Sequence, residues 1–143
     1  ESVARSLAVV PAGFPVVLVH DAARCLVPVD VVAAVIDAVM AGAAAVVPGL
    51  AVVDTIRELG PDGVSWTIDR SALRAVQTPQ GFGIDVLRRA HAAGDSEATD
   101  DAGMVEALGL SVLLVPGDPR AVKVTTGQDL LLAEAILAGE GDR

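Results

Sequence analysis

Tyrosine is absent from this chain, and two Phe and one Trp are all the aromatics it has, 2% of the sequence. A core built without rings has to come from Val, Ile, Leu and Ala, which supply most of the 52% hydrophobic content. Val-rich runs favour strands buried on both faces, with Ala- and Leu-rich segments between them as covering helices. Cys25 is the only cysteine, which excludes a disulfide framework or a cysteine-based metal cluster within the chain. Basic residues are scarce as well. Nine Arg and one Lys face 19 acidic residues, and a net charge of −9 argues against general binding to nucleic acid or anionic membranes. Anionic small molecules stay possible wherever cations gather locally, and the solitary Lys123 stands out among the arginines. Long apolar runs are missing too. The longest charge-free stretch of the first half, Ala38 to Val53, is interrupted by Gly42, Pro48 and Gly49 and falls short of the ~20 residues of a membrane span. No basic segment precedes an apolar stretch after Glu1, so neither a leader nor a membrane segment is expected and a cytoplasmic protein is.

At 143 residues the chain has the size of one domain with a real core, and residues 1–143 read as a single α/β unit. Ser2 to Val10 reads as the end of a helix. Val16 to His20 is a buried-strand run, followed at once by Asp21-Ala22-Ala23-Arg24. A helix is predicted from Asp30, near its N-cap, to Ala41, and a strand over Ala43 to Val47 closed by Pro48-Gly49. From about Leu50 to Ile68 the pattern changes: two short strand-like runs flank Gly60-Pro61-Asp62-Gly63, which predicts an inserted hairpin. Ser71 is placed to cap a short helical turn. Helices are predicted at Ile84 to Ala93 and Thr99 to Leu108, the latter capped by Thr99, with Gly94 and Gly109 ending them. Strands at Ser111 to Val115 and Ala121 to Thr125 precede a last helix, Gly127 to Leu137, opened by a Thr126–Asp129 capping box.

Chemistry-bearing residues are few. Asp21 and Arg24 follow a strand read as parallel, at the edge where open α/β sheets bind ligands, though the same spacing also fits a turn with a surface ion pair. Arg70 and Arg74 sit one helical turn apart ahead of Thr78-Pro79-Gln80, and structural roles are equally open to them. Thr99-Asp100-Asp101 reads as a helix start or a metal site, but adjacent Asp side chains diverge on a helix. Lys123 alternates with Val122 and Val124, facing solvent or a cleft. His91 reads as solvated, His20 as a satisfied structural histidine, and Cys25 as a small apolar residue without a placed base. The phosphate-cradling Gly-rich turn that opens many nucleotide-binding sheets does not precede the first strand.

Five segments together resemble the 2-C-methyl-D-erythritol 4-phosphate cytidylyltransferase family: Val17–Arg24, Asp54–Arg57, Leu73–Phe82, Ala98–Ala102 and Val122–Thr125. Glu1-Ser2-Val3 is similar to the helix that follows the family's Gly-rich turn. The turn itself, with its catalytic Arg and Lys, has no counterpart here. The sequence is therefore expected to be a truncated product or the ordered part of a longer chain. Cys25 stands where the family usually has Pro.

The resemblance implies a Rossmann-like nucleotidyltransferase sheet, mostly parallel but mixed, with helices on both faces and a protruding β-arm at 50–68 that interlocks two subunits. It implies cytidylyl transfer from CTP to 2-C-methyl-D-erythritol 4-phosphate with release of pyrophosphate. Arg70 and Lys123 are implied as catalytic residues holding the acceptor phosphate. Asp21, Arg24, Thr55, Thr78 and Thr99 are implied as substrate contacts, and Ser2, Asp21 and Ala22 as nucleotide contacts. Mg2+ is expected mainly on the triphosphate, with no protein metal cage, and a homodimer would lend Thr55 and Arg70 to the partner's site. The acceptor phosphate is already anionic at pH 7, its second pKa being about 6, so no Ser-His or Cys-His base is required. A ribitol 5-phosphate cytidylyltransferase or a non-catalytic dimerisation fragment would share many of these features.

Overall fold

A computed structural model describes residues 2–94 and 98–140; Glu1 of the N-terminal match lies outside them. The elements in chain order are α1 (Ser2–Leu7), β1 (Val16–Val19), α2 (Val29–Met40), β2 (Ala45–Ala51), β3 (Arg57–Leu59), β4 (Ser65–Thr67), a 3-10 turn (Arg70–Ala72), β5 (Arg74–Val76), β6 (Gln80–Gly83), α3 (Ile84–Ala93), α4 (Asp101–Ala107), β7 (Val112–Pro116) and α5 (Gly127–Glu140).

β2 is the hub of a mixed five-stranded sheet. β7 pairs with it in parallel on one side, from Ala45↔Val112 to Gly49↔Pro116. On the other side two antiparallel strands share its length: β6 opposite Ala45 and Val46, and β5 opposite Gly49 to Ala51. β1 lies beyond β6, again antiparallel, from Val16↔Gly83 to Val19↔Gln80. It follows that β1, β2 and β7 run one way and β5 and β6 the other. The partner of β1 is therefore antiparallel, not the parallel neighbour expected, yet β1 still ends at the same sheet edge as β2 and β7.

Alternation along the strands splits the core between the two faces. Ala45, Val47 and Phe82 pack with Leu7 of α1, Leu87 and Ala90 of α3 and Val105 of α4, joined by half-buried Val17 and Val19. Val46 faces the other way, onto Val35 and Val39 of α2, with Val16, Leu18 and Val115 around them. In β6 a Cβ on Gly81 would run into Val35 and press on Val39 and Leu18. These are stiff, branched neighbours, so glycine is what lets α2 settle on the sheet.

Several local expectations shift. Pro48-Gly49 does not close β2, which continues to Ala51; Pro48 needs no N–H there, and its carbonyl accepts from the Gln77 N–H at 2.8 Å. Leu50 and Ala51 therefore belong to the sheet, and the hairpin proper is β3 and β4, paired Arg57↔Thr67 to Leu59↔Ser65. Its turn closes as expected, with Gly60 N–H donating to the Val64 carbonyl at 2.8 Å and Gly63 at φ 80°. Asp69, not Ser71, caps the following turn, and hydrogen bonds from the Ser71 N–H and then its hydroxyl hold the Asp69 carboxyl below its ordinary range. Arg70 and Arg74 share no helix, because Arg74 opens β5. β5 and β6 themselves lie in a segment the pattern did not mark as strand: they are short, and Gln and Gly make up three of the four residues of β6.

α2 begins after Pro28, with Asp30 in its first turn rather than at its cap. Asp100, not Thr99, caps α4, accepting the Gly103 N–H at 2.8 Å. His91 is not solvated: its Nε2 lies 2.7 Å from Asp101 Oδ1, both side chains about 15% exposed, and the pair clamps α3 to α4. Cys25 is exposed rather than packed. The Thr126–Asp129 box forms as read.

Candidate active site

The turn after β1 is the centre of a polar cluster at the sheet edge. Arg24 N–H donates to the Asp21 carbonyl at 2.9 Å, which folds the segment back and sets both side chains on one side of it. The Asp21 carboxylate then meets two cations: Lys123 Nζ at 3.0 Å and Arg24 Nε at 3.7 Å. That Nε is buried without a hydrogen bond, so the carboxylate is its electrostatic partner. The rest of the guanidinium is spent on backbone, NH1 donating to the Ala121 carbonyl at 2.7 Å and NH2 to the Val76 carbonyl at 3.4 Å.

Lys123 does not reach this position on a strand. Residues 121–125 form no ladder; Val124 N–H donates to the Ala23 carbonyl at 2.8 Å, and the Ala121 carbonyl is taken by side chains. The expected alternation survives, with Val122 and Val124 half-buried and Lys123 exposed. Thr78 joins from between β5 and β6: its hydroxyl accepts the Asp21 N–H at 3.0 Å and bonds His20 Nδ1 at 2.9 Å. His20 is thus hydrogen-bonded as read, but exposed. Asp21, Arg24, Thr78 and Lys123, spread over about a hundred residues of chain, are brought together.

The other predicted residues lie apart from this network. Ser2 in α1 lines a cleft of about 270 Å3 whose far wall is Leu18, Val19 and His20, next to the Asp21-Ala22 turn. Thr99 is exposed just ahead of the Asp100 cap, and Asp100 is tied to the sheet by Gln80 Nε2 at 2.7 Å. Thr55 and Arg70 are exposed, on either side of the hairpin, and no hydrogen bond or ion pair among the described residues links them to Asp21. A cleft of about 410 Å3 at the opposite end of β1, between Pro11–Pro15 and α3, gathers none of these groups.

Gln77 was missed as an individual residue. The residue is 4% exposed, and its side-chain amide holds the 117–121 loop by three hydrogen bonds. Two Gln flanking Thr-Pro was the available signal, since a buried amide must find partners. In the same loop Arg120 donates to Asp118 through side chain and backbone, which holds the Asp118 carboxyl below its ordinary range.

The family model for IspD, 2-C-methyl-D-erythritol 4-phosphate cytidylyltransferase, matches residues 1–139. The chain belongs to this family. A relative of that name from Saccharopolyspora erythraea is 60% identical over 124 residues, covering 86% of this chain and 55% of its own length. Another, from Streptomyces avermitilis, is 54% identical over 145 residues, covering 96% of this chain and 58% of the relative. The crystal structure of the enzyme of that name from Thermus thermophilus superposes with a TM-score of 0.83 at 46% identity, over 94% of this chain and 66% of that one. The mixed sheet with helices on both faces is thus the nucleotidyltransferase fold of the family. The chain spans a little over half the length of these curated relatives. No helix among the described residues is long and apolar enough to cross a membrane.

Proposed function

We propose that the protein carrying this chain transfers a cytidylyl group from CTP to 2-C-methyl-D-erythritol 4-phosphate and releases pyrophosphate, in the cytoplasm. The observation that carries this reading is the convergence of Lys123, Arg24, Asp21 and Thr78 at the end of β1. The reaction brings two polyanions together, and two unit charges 4 Å apart repel by about 4 kcal/mol at an effective dielectric of 20. A compact ammonium on a flexible stem can sit between acceptor phosphate and α-phosphate. Asp21 suits polyol hydroxyls as a hydrogen-bond acceptor, and the Arg24 guanidinium steadies it. In this reading Thr78 and Thr55 approach the acceptor phosphate, Thr99 the polyol, and Ser2 with the Asp21-Ala22 backbone the nucleoside.

Mg2+ belongs to the proposal as a companion of the triphosphate, whose charge it neutralises. Among the described residues no three His, Cys, Asp or Glu side chains converge. Phosphate oxygens and water would therefore supply most ligands, and Asp21 is the carboxylate placed to add one. A homodimer completes the reading: the hairpin exposes Leu59, Val64 and Trp66, apolar surface that a second subunit would cover. Thr55 and Arg70 would then serve the partner's site.

The test is pyrophosphate release by the purified full-length protein, with CTP and a panel of polyol phosphates. Turnover is expected with methylerythritol phosphate. Preference for ribitol 5-phosphate would move the protein to the neighbouring specificity, and turnover with neither would defeat the proposal.

A further inference from the structure

We propose that Gln77 is a positioning residue that sets where Arg24 and Lys123 stand; the inference rests on the reading that Lys123 serves the acceptor phosphate while Arg24 steadies Asp21 against the polyol. Gln77 follows β5 and is fixed from behind, its N–H donating to the Pro48 carbonyl at 2.8 Å. Its side-chain amide pairs with the backbone of Asp118 as a strand residue would, Oε1 accepting the Asp118 N–H at 3.0 Å and Nε2 donating to the Asp118 carbonyl at 2.9 Å. The same Nε2 reaches the Ala121 carbonyl at 3.3 Å. That carbonyl also takes Arg24 NH1 at 2.7 Å, so both of its lone pairs are used.

The bonds close a frame. Gln77 holds Ala121, Ala121 holds Arg24, Arg24 faces Asp21, and the Asp21 N–H returns to Thr78, the neighbour of Gln77. Lys123 lies two residues past Ala121, and its Nζ meets Asp21 inside this frame. The stretch from Gly117 to Lys123 forms no strand after β7, so the buried Gln77 amide supplies the pairing that a sheet would otherwise give. A second feature points to the same fit. A Cβ on Gly117 would collide with Gln77 Oε1, and Gly117 has no left-handed backbone to explain it otherwise. Gly117 is there to make room for the amide.

The experiment measures steady-state kinetics of Gln77→Ala, Gly117→Ala and the double variant in the full-length protein, varying CTP and acceptor separately. Gln77→Ala should raise the KM for the acceptor and lower kcat/KM by about 10- to 100-fold, the scale of a misplaced catalytic group, with little change in the KM for CTP. Gly117→Ala should move the same parameters in the same direction by pushing the amide aside. The double variant should come close to Gln77→Ala, because with the amide gone the new methyl keeps only a 3.2 Å approach to the Gly49 backbone. Where Gln77→Ala does not fold, Gln77→Glu replaces it, keeping an acceptor for Asp118 N–H but no donor for Ala121.

Folded variants with a wild-type acceptor KM would overturn the proposal. So would a loss confined to kcat with both KM values unchanged, or additive effects of the two substitutions. Lys123→Ala, run alongside, separates the premises. If it stays active the reading of Lys123 fails; if it is dead while Gln77→Ala and Gly117→Ala are normal, only the positioning role fails.

Discussion

Lys123 and Asp21 are 48% and 39% exposed, and an ion pair that open contributes at most about 1 kcal/mol to stability. The ammonium is therefore not there for the fold. Lys123→Ala should leave the melting transition nearly unchanged while lowering turnover by about 100-fold or more, the usual cost of deleting one donor aimed at developing charge. Lys123→Arg should restore little, because a planar fork cannot take the place of a compact ammonium. Steady-state rates and thermal melts of both variants check this, and near-normal turnover by the Ala variant would make Lys123 a solvated loop residue.

α5 shows at the level of one element how a carboxylate is tied to a helix start. Asp129 Oδ2 accepts from Thr125 N–H at 3.0 Å, Thr126 N–H at 2.8 Å and the Thr125 hydroxyl at 3.0 Å, while Asp129 N–H returns to the Thr126 hydroxyl at 3.2 Å. The Thr125 backbone bond is the largest cause, and together these bonds lower the Asp129 carboxyl from 3.8 to about 2. A carboxyl depressed on folding stabilises the folded state above its unfolded value, and that contribution fades as pH falls through the folded one. The window is therefore about pH 4 down to pH 2. Asp129→Asn should flatten the stability-versus-pH curve in that window, measured by circular dichroism melts. Asp69 and Asp118, also lowered, act with the same sign and leave a remaining slope. An unchanged slope in the variant would show that the cap does not titrate with folding.

At the scale of the whole molecule the hairpin is the part with least support of its own. Two three-residue strands are marginal in water, even with Arg57 bridging to Ser65 and Thr67 and Trp66 Nε1 donating to Glu58 at 2.8 Å. In the proposed dimer each arm packs on the other subunit, and Arg70 works in trans while Lys123 works in cis. Arg70→Ala and Lys123→Ala, each inactive alone, should then recover activity when unfolded and refolded together. Random pairing makes about half the dimers mixed, and one site in each mixed dimer is intact, so about a quarter of wild-type activity should return. Trp66, the only tryptophan, reports arm docking in the same samples through its emission. No recovery, with mixed dimers shown by tag pull-down, would mean that both residues serve one chain's site.

Much of this was legible locally. Alternating and unbroken Val runs mark β1 and β2, Gly42, Gly94 and Gly109 end helices with positive φ, and Gly60–Gly63 turns a hairpin, because each depends on neighbours in the chain. The motif residues Asp21, Arg24, Thr78 and Lys123 were readable as types, and their grouping was implied only by resemblance. What tertiary structure decided is the frame around them. β5 and β6 are strands because β2 offers them an edge, not because Arg-Ala-Val or Gln-Gly-Phe-Gly prefers extension. Residues 121–125 are not a strand because Gln77 and Arg24 take the Ala121 carbonyl. His91 is clamped to Asp101 by the packing of α3 on α4. Each of these turns on a partner distant in sequence, and a hydrogen bond to such a partner leaves no period in the chain to be read.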